Sequence, residues 1–485
     1  MKLKDILNNL EIIGGTVDGD LQISGVDCDS RRIEQGFVFV AVRGYDADGH
    51  AFISAAAEKG AAAVICEEPP AIDIPYVLVK DSRYALAIAS RDFYGDPASK
   101  MTVVAVTGTC GKTTSTYLIK HLLEAAAGAK VGLVGTNGNM IGEKLIHTER
   151  TTPESCELQK LFREMLDEGC THVVMEVSSH SLVLDRVAGI HFNVGIFTNL
   201  TQDHLDFHKT MEQYAKAKSI LFSRCDRACI NLDDKWADFM IKSAACPVTT
   251  FSAENYDADL TANDIRLSAS GVKFCALYGG ELERVSLQIP GMFSVHNALG
   301  VIAAGVSLGI GLADCCRAMS DAKGVKGRVE VVPTDGDYSV IIDFAHTPDS
   351  LENVLKTMRA SAGGGRLVAL FGCGGDRDKT KRPVMGAIAA DNADFCVVTS
   401  DNPRTEEPQA IIDDIMAGMK GRHTPMKVIP DRREAICWAI DNHLPGDVIV
   451  LAGKGHEDYQ IVGREKHHMD EREIVAEHLE KRKNK

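Results

Sequence analysis

Lys112, Thr113 and Thr114 close the segment 107–114, TGTCGKTT, which lies between a β-branched run from Met101 to Val106 and a helical pattern from Thr113 to about Ala126. That order of groups suits a polyphosphate. Gly108 and Gly111 let the amides around Thr109 and Cys110 close on phosphate oxygens, and the following helix presents its positive end. Lys112 reaches the outer phosphates, and the Thr113 hydroxyl is a magnesium ligand. The spacing departs from the usual loop, whose first glycine stands where this chain has Val106. A bare strand-turn-helix with a surface lysine is the plainer reading; Gly-Lys-Thr-Thr directly after a strand is more specific than that.

Further polar groups gather behind predicted strands. A strand over Thr171 to Val177 delivers Glu176, Ser178 and Ser179 to its end, where Glu176 can hold magnesium opposite Thr113. The alternative for Glu176 is a solvated acid. Residues 197–208, FTNLTQDHLDFH, concentrate ionisable groups beside an apolar strand. His204 is read there as a metal or phosphate ligand and His208 as structural. Beyond them Met211, Tyr214, Ala215, Lys218, Leu221 and Phe222 fall on one helical stripe that leaves out Lys209 and Lys216. Lys218 therefore points inward, and a buried ammonium needs a partner or a depressed pKa. A buried salt bridge or a snorkelling side chain is the plainer reading of Lys218.

The elements that must position these groups follow from the whole chain. Its 485 residues suffice for about three domains. With 45% hydrophobic and 25% charged residues it has a globular composition, and a net charge of −15 argues against nucleic-acid or membrane-surface binding. Fourteen cysteines without a C-x-x-C pair favour reduced cytosolic thiols over disulfides or a zinc site. The N-terminus lacks the apolar core of a signal peptide. The longest apolar run, Ala298 to Ala313, is too short to span a bilayer and is read as a buried helix. A cytoplasmic monomer is expected.

Boundaries at Gly95-Asp96-Pro97 and near Gly324 to Arg328 divide the chain into 1–97, 98–327 and 328–485. Strand runs at Val38–Val42, Ala62–Cys66 and Tyr76–Val79, with a helix near Phe52–Lys59, make the first an α/β domain. Alternating strands and helices give the second a mostly parallel sheet around the phosphate loop. Strands at Ser339–Phe344, Arg366–Phe371, Asp394–Thr399 and Val448–Ala452 make the third a Rossmann-like α/β domain. Glu480 to Lys485 reads as a fraying end.

The ordered series DSRRIEQGFVFVAVRGYDADGHAFI, TGTCGKTT, RTTPES, EVSSH, FTNLTQDHLDFH, YAKAKSILF, GMFSVHNALG, GVKGRVE, DFAHTPD, FGCGGDRD, DNPRTEEP and AGKGHE resembles the Mur ligases of peptidoglycan synthesis. The likeness spans essentially the whole chain. It implies an N-terminal UDP-binding domain, a central ATPase domain and a C-terminal amino-acid domain. It further implies an ATP- and Mg2+-dependent ligase that phosphorylates a substrate carboxylate and lets an amine displace the phosphate. By resemblance Ser30, Arg43 and Gly44 hold uridine and its phosphates, and Thr151, Thr152, Ser178 and Arg186 hold a muramoyl dipeptide. Gly108 to Thr114, with Asn297, Arg328 and Asp343, hold ATP. The lysine matching Lys218 is carbamylated in the family and becomes a magnesium ligand. Arg150 and Leu184 depart from the expected substrate contacts and take no role.

The segment Asp401-Asn402-Pro403-Arg404 resembles the motif of members that add meso-diaminopimelate, whose distal carboxylate suits a planar guanidinium. Arg377 offers a second guanidinium, and Gly453 and Glu457 belong to the same region, Glu457 as partner for the distal ammonium. Two other readings are a folate polyglutamate synthetase and a nucleotide-switched P-loop protein with no acceptor.

Overall fold

The computed structural model describes residues 1–44, 47–148, 150–322 and 324–483, with the side chain of Asp206 outside that description. Tyr45 and Asp46, within the N-terminal motif, and the last two tail residues thus lie outside the described residues. Two compact units emerge, Met1–Thr261 with Leu299–Cys315, and Ala262–Ala298 with Cys316–Lys485.

The first unit holds two sheets. The N-terminal one has the strand order Ile12–Gly15, Tyr76–Val79, Ala63–Cys66, Phe37–Val40, Gly25–Asp27, parallel except for the outer Ile12–Gly15. Its strands are runs of Val, Ile and Phe, the composition of a sheet covered on both faces. In the larger sheet Thr102–Thr107 is central, flanked by Phe192–Phe197 and His172–Glu176 in parallel. Cys225–Asn231 and Val248–Ser252 extend it on one side, and Val131–Val134 with the antiparallel Asn139–Ile141 and Lys144–Ile146 on the other. Phe162, Phe192, Phe197 and Phe222 are fully buried in its core, and each such side chain contributes roughly 1.5–3 kcal/mol. The helix Lys112–Ala127 leaves the central strand and stops at Gly128, whose φ of +62° supplies the left-handed cap.

The run Ala298 to Ala313, expected as one buried helix, is divided. A helix Met292–Ser307 ends before Gly309, which has φ +87°, and Leu312–Asp321 starts a second helix. Helical apolar spacing continued across the break, but the glycine at 309 adopts a backbone that ends the first helix. The tail also differs, since residues 480–483 complete the helix Glu471–Lys483 instead of fraying.

Three strands that the sequence reading missed, Leu260–Ser268, Gly271–Tyr278 and Glu281–Leu287, follow one another in the sheet order, the last two pairing antiparallel. The C-terminal sheet has the order Glu330–Val332, Tyr338–Asp343, Asp447–Ala452, Leu367–Phe371, Phe395–Val398, Met426–Val428, parallel except for the first strand. Helices Lys381–Asn392 and Pro408–Met419 pack backbone to backbone against each other. A Cβ at Gly386 would come 2.2 Å from the Ile415 carbonyl oxygen, and one at Gly418 would come 1.8 Å from that of Pro383.

All fourteen cysteines are free. Cys28, Cys156 and Asp27 nevertheless bring their ligand atoms within 4.8 Å of one another, a proximity that sequence spacing did not reveal. The neighbouring Cys28 and burial push the Cys156 thiol up, which keeps it protonated.

A buried ion pair braces the C-terminal sheet. Arg432 Nε donates to Glu471 Oε1 at 2.8 Å, both side chains at 0% exposure, and the two terminal nitrogens of Arg432 donate to the Ser400 and Ala452 carbonyls at 3.3 and 2.9 Å. Breaking one side of such a pair strands a buried charge. Arg432→Met is therefore expected to lose about 3–5 kcal/mol of unfolding free energy, measured by urea denaturation, while Arg432→Met/Glu471→Leu regains most of it.

Candidate functional site

Three parallel strands end together at the loop. Val106 pairs with Glu176 on one side and Ile196 on the other, so residues 108–114, 176–178 and 198–204 all emerge from the same edge of the sheet. The carboxyl ends of parallel strands are where α/β sheets bind ligands. Gly108 has φ +156°, and a Cβ there would lie 1.9 Å from Thr198 Oγ1 and 3.1 Å from the Asn199 carbonyl oxygen. Thr198 Oγ1 donates to the Cys110 carbonyl at 2.7 Å; Asn199 Oδ1 accepts from Cys110 N at 2.9 Å, and the Asn199 carbonyl accepts from Thr109 N at 2.9 Å. Thr198 and Asn199 thus shape the loop, a role missed in the sequence because they lie some ninety residues away.

Lys112 folds back on its own loop, donating to the carbonyls of Gly108 and Thr109 at 2.9 and 3.0 Å. Lys218 is 1% exposed, as the helical stripe predicted, and donates to the same Gly108 oxygen at 2.8 Å. Its ammonium lies 4.7 Å from the centre of the Tyr214 ring. Burial, then the Lys112 charge, hold its pKa well below the ordinary lysine value. No salt bridge involves Lys218 among the described residues, so that plainer reading of Lys218 fails.

Glu176 is buried at 1% exposure, which overturns the solvated alternative. Its oxygens accept from Thr136 N at 2.9 Å and Thr136 Oγ1 at 3.2 Å, both neutral groups. A buried carboxylate with neutral partners fits a cation ligand, as does the buried hydroxyl-bearing Thr113 at the start of the loop helix. Thr114 is buried beside it. His204 is exposed, has φ +52°, pairs with Asp203 at 3.3 Å and packs its ring 4.9 Å from that of His180. No hydrogen bond or ion pair joins Glu176, His204 and Lys218 to one another among the described residues. His208 is structural as expected, buried with Nε2 2.8 Å from Ser179 Oγ and its ring stacked on Tyr214.

The residues expected to hold the dipeptide form one cluster. Thr152 Oγ1 donates to the Glu176 carbonyl at 2.9 Å, Ser178 N donates to Thr152 Oγ1 at 3.3 Å, and Thr151 Oγ1 lies 3.0 Å from Thr136 Oγ1. Arg186 pairs with Glu154 at 2.7 Å and donates to the Thr152 carbonyl at 3.3 Å; burial pulls its pKa down. Arg150 lies 3.8 Å from Glu157, and Leu184 caps the helix Ser179–Val183. Ser30 stands in the turn after Gly25–Asp27. Arg43 is already engaged by Glu67 at 3.3 Å, Asp48 at 3.8 Å and Glu68, and Gly44 N bonds the Ala47 carbonyl at 2.9 Å.

In the second unit Asp343 ends its strand and accepts from Val329 N at 2.8 Å; burial pushes its carboxyl up. The Arg328 guanidinium lies 5.5 Å from the centre of the Phe344 ring. Asn297 is buried, and its Nδ2 has no hydrogen-bond partner among the described residues.

The two arginine-bearing loops meet in that unit. Arg404, with φ +51°, donates from Nη1 to the Gly375 carbonyl at 2.8 Å, and Asp376 accepts from Thr405 N and Oγ1 at 3.2 and 2.7 Å. Arg377 is exposed and donates to the Asp376 carbonyl at 3.3 Å. The buried Arg382 bonds Glu406 at 2.8 Å, which in turn accepts from Asp376 N at 2.7 Å. Asp401, Asn402 and Pro403 are buried, and a Cβ at Gly453 would come 2.6 Å from Asp401 Oδ2. Asn402 Nδ2 donates to Glu457 Oε2 at 3.0 Å. Sequence reasoning passed over Lys454, which bonds the nearby Glu457 and the distant Asn402, and Arg382 and Arg432, whose carboxylate partners are distant in the chain.

These sites coincide with three family descriptions: Mur ligase family, catalytic domain, over residues 22–98; Mur ligase middle domain over 106–305; and Mur ligase, glutamate ligase domain, over 327–455. The chain belongs to the Mur ligase family and is a ligase of mixed α/β fold. It is 48% identical over 490 aligned positions to a Clostridium tetani protein named UDP-N-acetylmuramoyl-L-alanyl-D-glutamate–2,6-diaminopimelate ligase, covering 99% of each chain. A solved structure of a ligase of that name matches 100% of this chain and 99% of its own at 34% identity and TM-score 0.77. The MurF ligase of Thermotoga maritima, solved in complex with ADP, shares the fold at 20% identity and TM-score 0.58, over 96% of this chain and 100% of its own.

The crowding at Gly108 makes a direct prediction. Gly108→Ala must displace Thr198 and the Asn199 backbone, so ATP binding measured by calorimetry is expected to fall below detection while the far-UV circular dichroism stays that of the parent.

Proposed function

We propose that this chain joins meso-diaminopimelate to the D-glutamate of UDP-N-acetylmuramoyl-L-alanyl-D-glutamate at the expense of ATP, as a cytoplasmic monomer serving peptidoglycan synthesis. Residues 1–97 take the uridine end through Ser30, Arg43 and Gly44; 98–327 take ATP on Gly108 to Thr114; and 328–485 take the amino acid. Arg43 exchanges part of its carboxylate shell for the diphosphate on binding. Free thiols throughout and the use of ATP agree with the cytoplasm.

A carboxylate is a poor electrophile until one oxygen becomes a leaving group. Thr151, Thr152, Ser178 and Arg186 hold the dipeptide so that its carboxylate meets the terminal phosphate of ATP. Lys112 steadies the charge as that phosphoryl group moves, since stabilisation of developing charge dominates such transfers. The diaminopimelate amine then attacks the acyl phosphate, and phosphate leaves from a tetrahedral intermediate. Asn297, Arg328 and Asp343 contact the nucleotide. Thr113, Glu176, His204 and the carbamate of Lys218 would hold magnesium, which when bound supplies positive charge at the phosphoryl oxygens.

The observation that carries the acceptor assignment is the joining of a guanidinium loop to a carboxylate: Asn402, two residues before Arg404, bonds Glu457. Arg404 would grip the distal carboxylate and Glu457 the distal ammonium, a pairing that lysine, lacking that carboxylate, would half use. Phosphate release measured with acceptors added singly tests this. Release should require both the muramoyl dipeptide and diaminopimelate; release with a folate acceptor, or ATP hydrolysis with neither, defeats the proposal. In the same assay Arg404→Ala is expected to raise KM for diaminopimelate by about tenfold or more and to leave KM for ATP unchanged.

The second prediction concerns Lys218. Its lowered pKa makes a neutral amine available to carbon dioxide, and the carbamate would turn a cation into an oxygen ligand. Carbon-13 bicarbonate should give a carbamate resonance that vanishes in Lys218→Gln together with most activity. An active enzyme with no such resonance would leave Lys218 an amine.

A further inference from the structure

Lys454 has 0% exposure, and its whole polar environment is drawn from the amino-acid site. Its Nζ donates to Glu457 Oε2 at 2.5 Å and to Asn402 Oδ1 at 2.9 Å, and lies 5.1 Å from the centre of the Tyr459 ring. Asn402 closes the triangle by donating from Nδ2 to the same Glu457 oxygen at 3.0 Å, and its Oδ1 also accepts from Ile461 N at 2.9 Å. An ammonium taken out of water is retained only with partners of this kind. The Lys454 and Asn402 bonds to Glu457 both fall on Oε2, and the Tyr459 hydroxyl also bonds that carboxylate.

We infer that Lys454 is a positioning residue for the acceptor amino acid, holding Glu457 ionised and turned so that Oε1 serves the ligand's distal ammonium, and locking that carboxylate to the Arg404 loop through Asn402. The inference rests on the acceptor reading given above. It supplies part of what Glu457 needs: burial, the largest influence, pushes its carboxyl up, while the Lys454 bond and charge, joined by the Asn402 bond, bring it below the ordinary range. The other groups facing the carboxylate are the Asn402 amide, the Tyr459 hydroxyl and His456, whose pKa burial and then the Arg328 charge pull down. Lys454 also acts on the buried Glu471, whose carboxyl burial pushes up and which feels the charges of Arg432, Asp401 and Lys454 in turn.

A role in packing alone would leave the titration of Glu457 out of the kinetics, and that difference is measurable. In the full-length enzyme Lys454→Met is expected to raise KM for diaminopimelate by about tenfold or more, with KM for ATP and for the muramoyl dipeptide unchanged. The acid limb of kcat/KM for diaminopimelate should move to higher pH, because the buried Glu457 has lost the charge that kept its pKa low. Glu457→Gln serves as reference, and Lys454→Met/Glu457→Gln removes both charges and so guards against misfolding of the single variant. The double variant should match Glu457→Gln in KM, as groups acting through one another are non-additive. If Glu457→Gln raises KM while Lys454→Met leaves KM and the acid limb in place, or if the two effects simply add, Lys454 does not position Glu457. If Glu457→Gln leaves KM for diaminopimelate untouched, it is the acceptor reading of Glu457 that fails, and the inference with it.

Discussion

Two ammonium groups converge on one carbonyl oxygen, that of Gly108, with Lys112 at 2.9 Å and Lys218 at 2.8 Å. Like charges so placed repel, and the cost falls on the group that cannot reach water. Lys218 is that group: burial first, and the Lys112 charge second, depress its pKa. Much of the first unit serves this arrangement. The central strand brings Gly108 to the sheet edge, Thr198 and Asn199 fix the loop from the neighbouring strand, and Tyr214 and the apolar stripe hold Lys218 in place. Glu176, buried on the opposite flank, accepts among the described residues from the neutral Thr136 and is contacted by neither lysine.

The C-terminal sheet solves a related problem by different means. The loops that follow its strands are tied down by buried cations. Arg432 binds the carbonyls of Ser400 and Ala452, the residues just before Asp401 and Gly453. Arg382 holds Glu406, and Glu406 holds the amide of Asp376, so the loops bearing Arg377 and Arg404 keep a fixed spacing. Buried ion pairs contribute little net stability, and what they supply here is geometry.

The local signals read well in the sequence. The β-branched runs, the glycine loop and the helical stripe gave the strand Thr102–Thr107, the helix after it and the inward Lys218, because each depends on neighbours in the chain. Ala298 to Ala313 misled, since apolar content says nothing of the backbone at Gly309. The roles of Thr198, Asn199 and Arg432 were hidden for another reason: each acts on a loop brought near only by the sheet, as does Lys454 in its bond to Asn402. Lys454 stands inside the quoted AGKGHE segment, so its presence was visible while its burial and its bonds were not. Arg43 and Glu457 were expected to await ligands, and the structure gives both of them partners already.

The glycines at 386 and 418 place the helices that follow the two arginine loops in backbone contact, each looking onto a carbonyl of the other helix. No side chain larger than hydrogen fits there, so the gap between Arg377 and Arg404 is gauged by a pair of atoms far from either guanidinium. One added methyl group at either position would meet backbone of the facing helix, with no flexible side chain there to give way. The fit of that pair of helices thus rests on two hydrogens where other residues carry side chains.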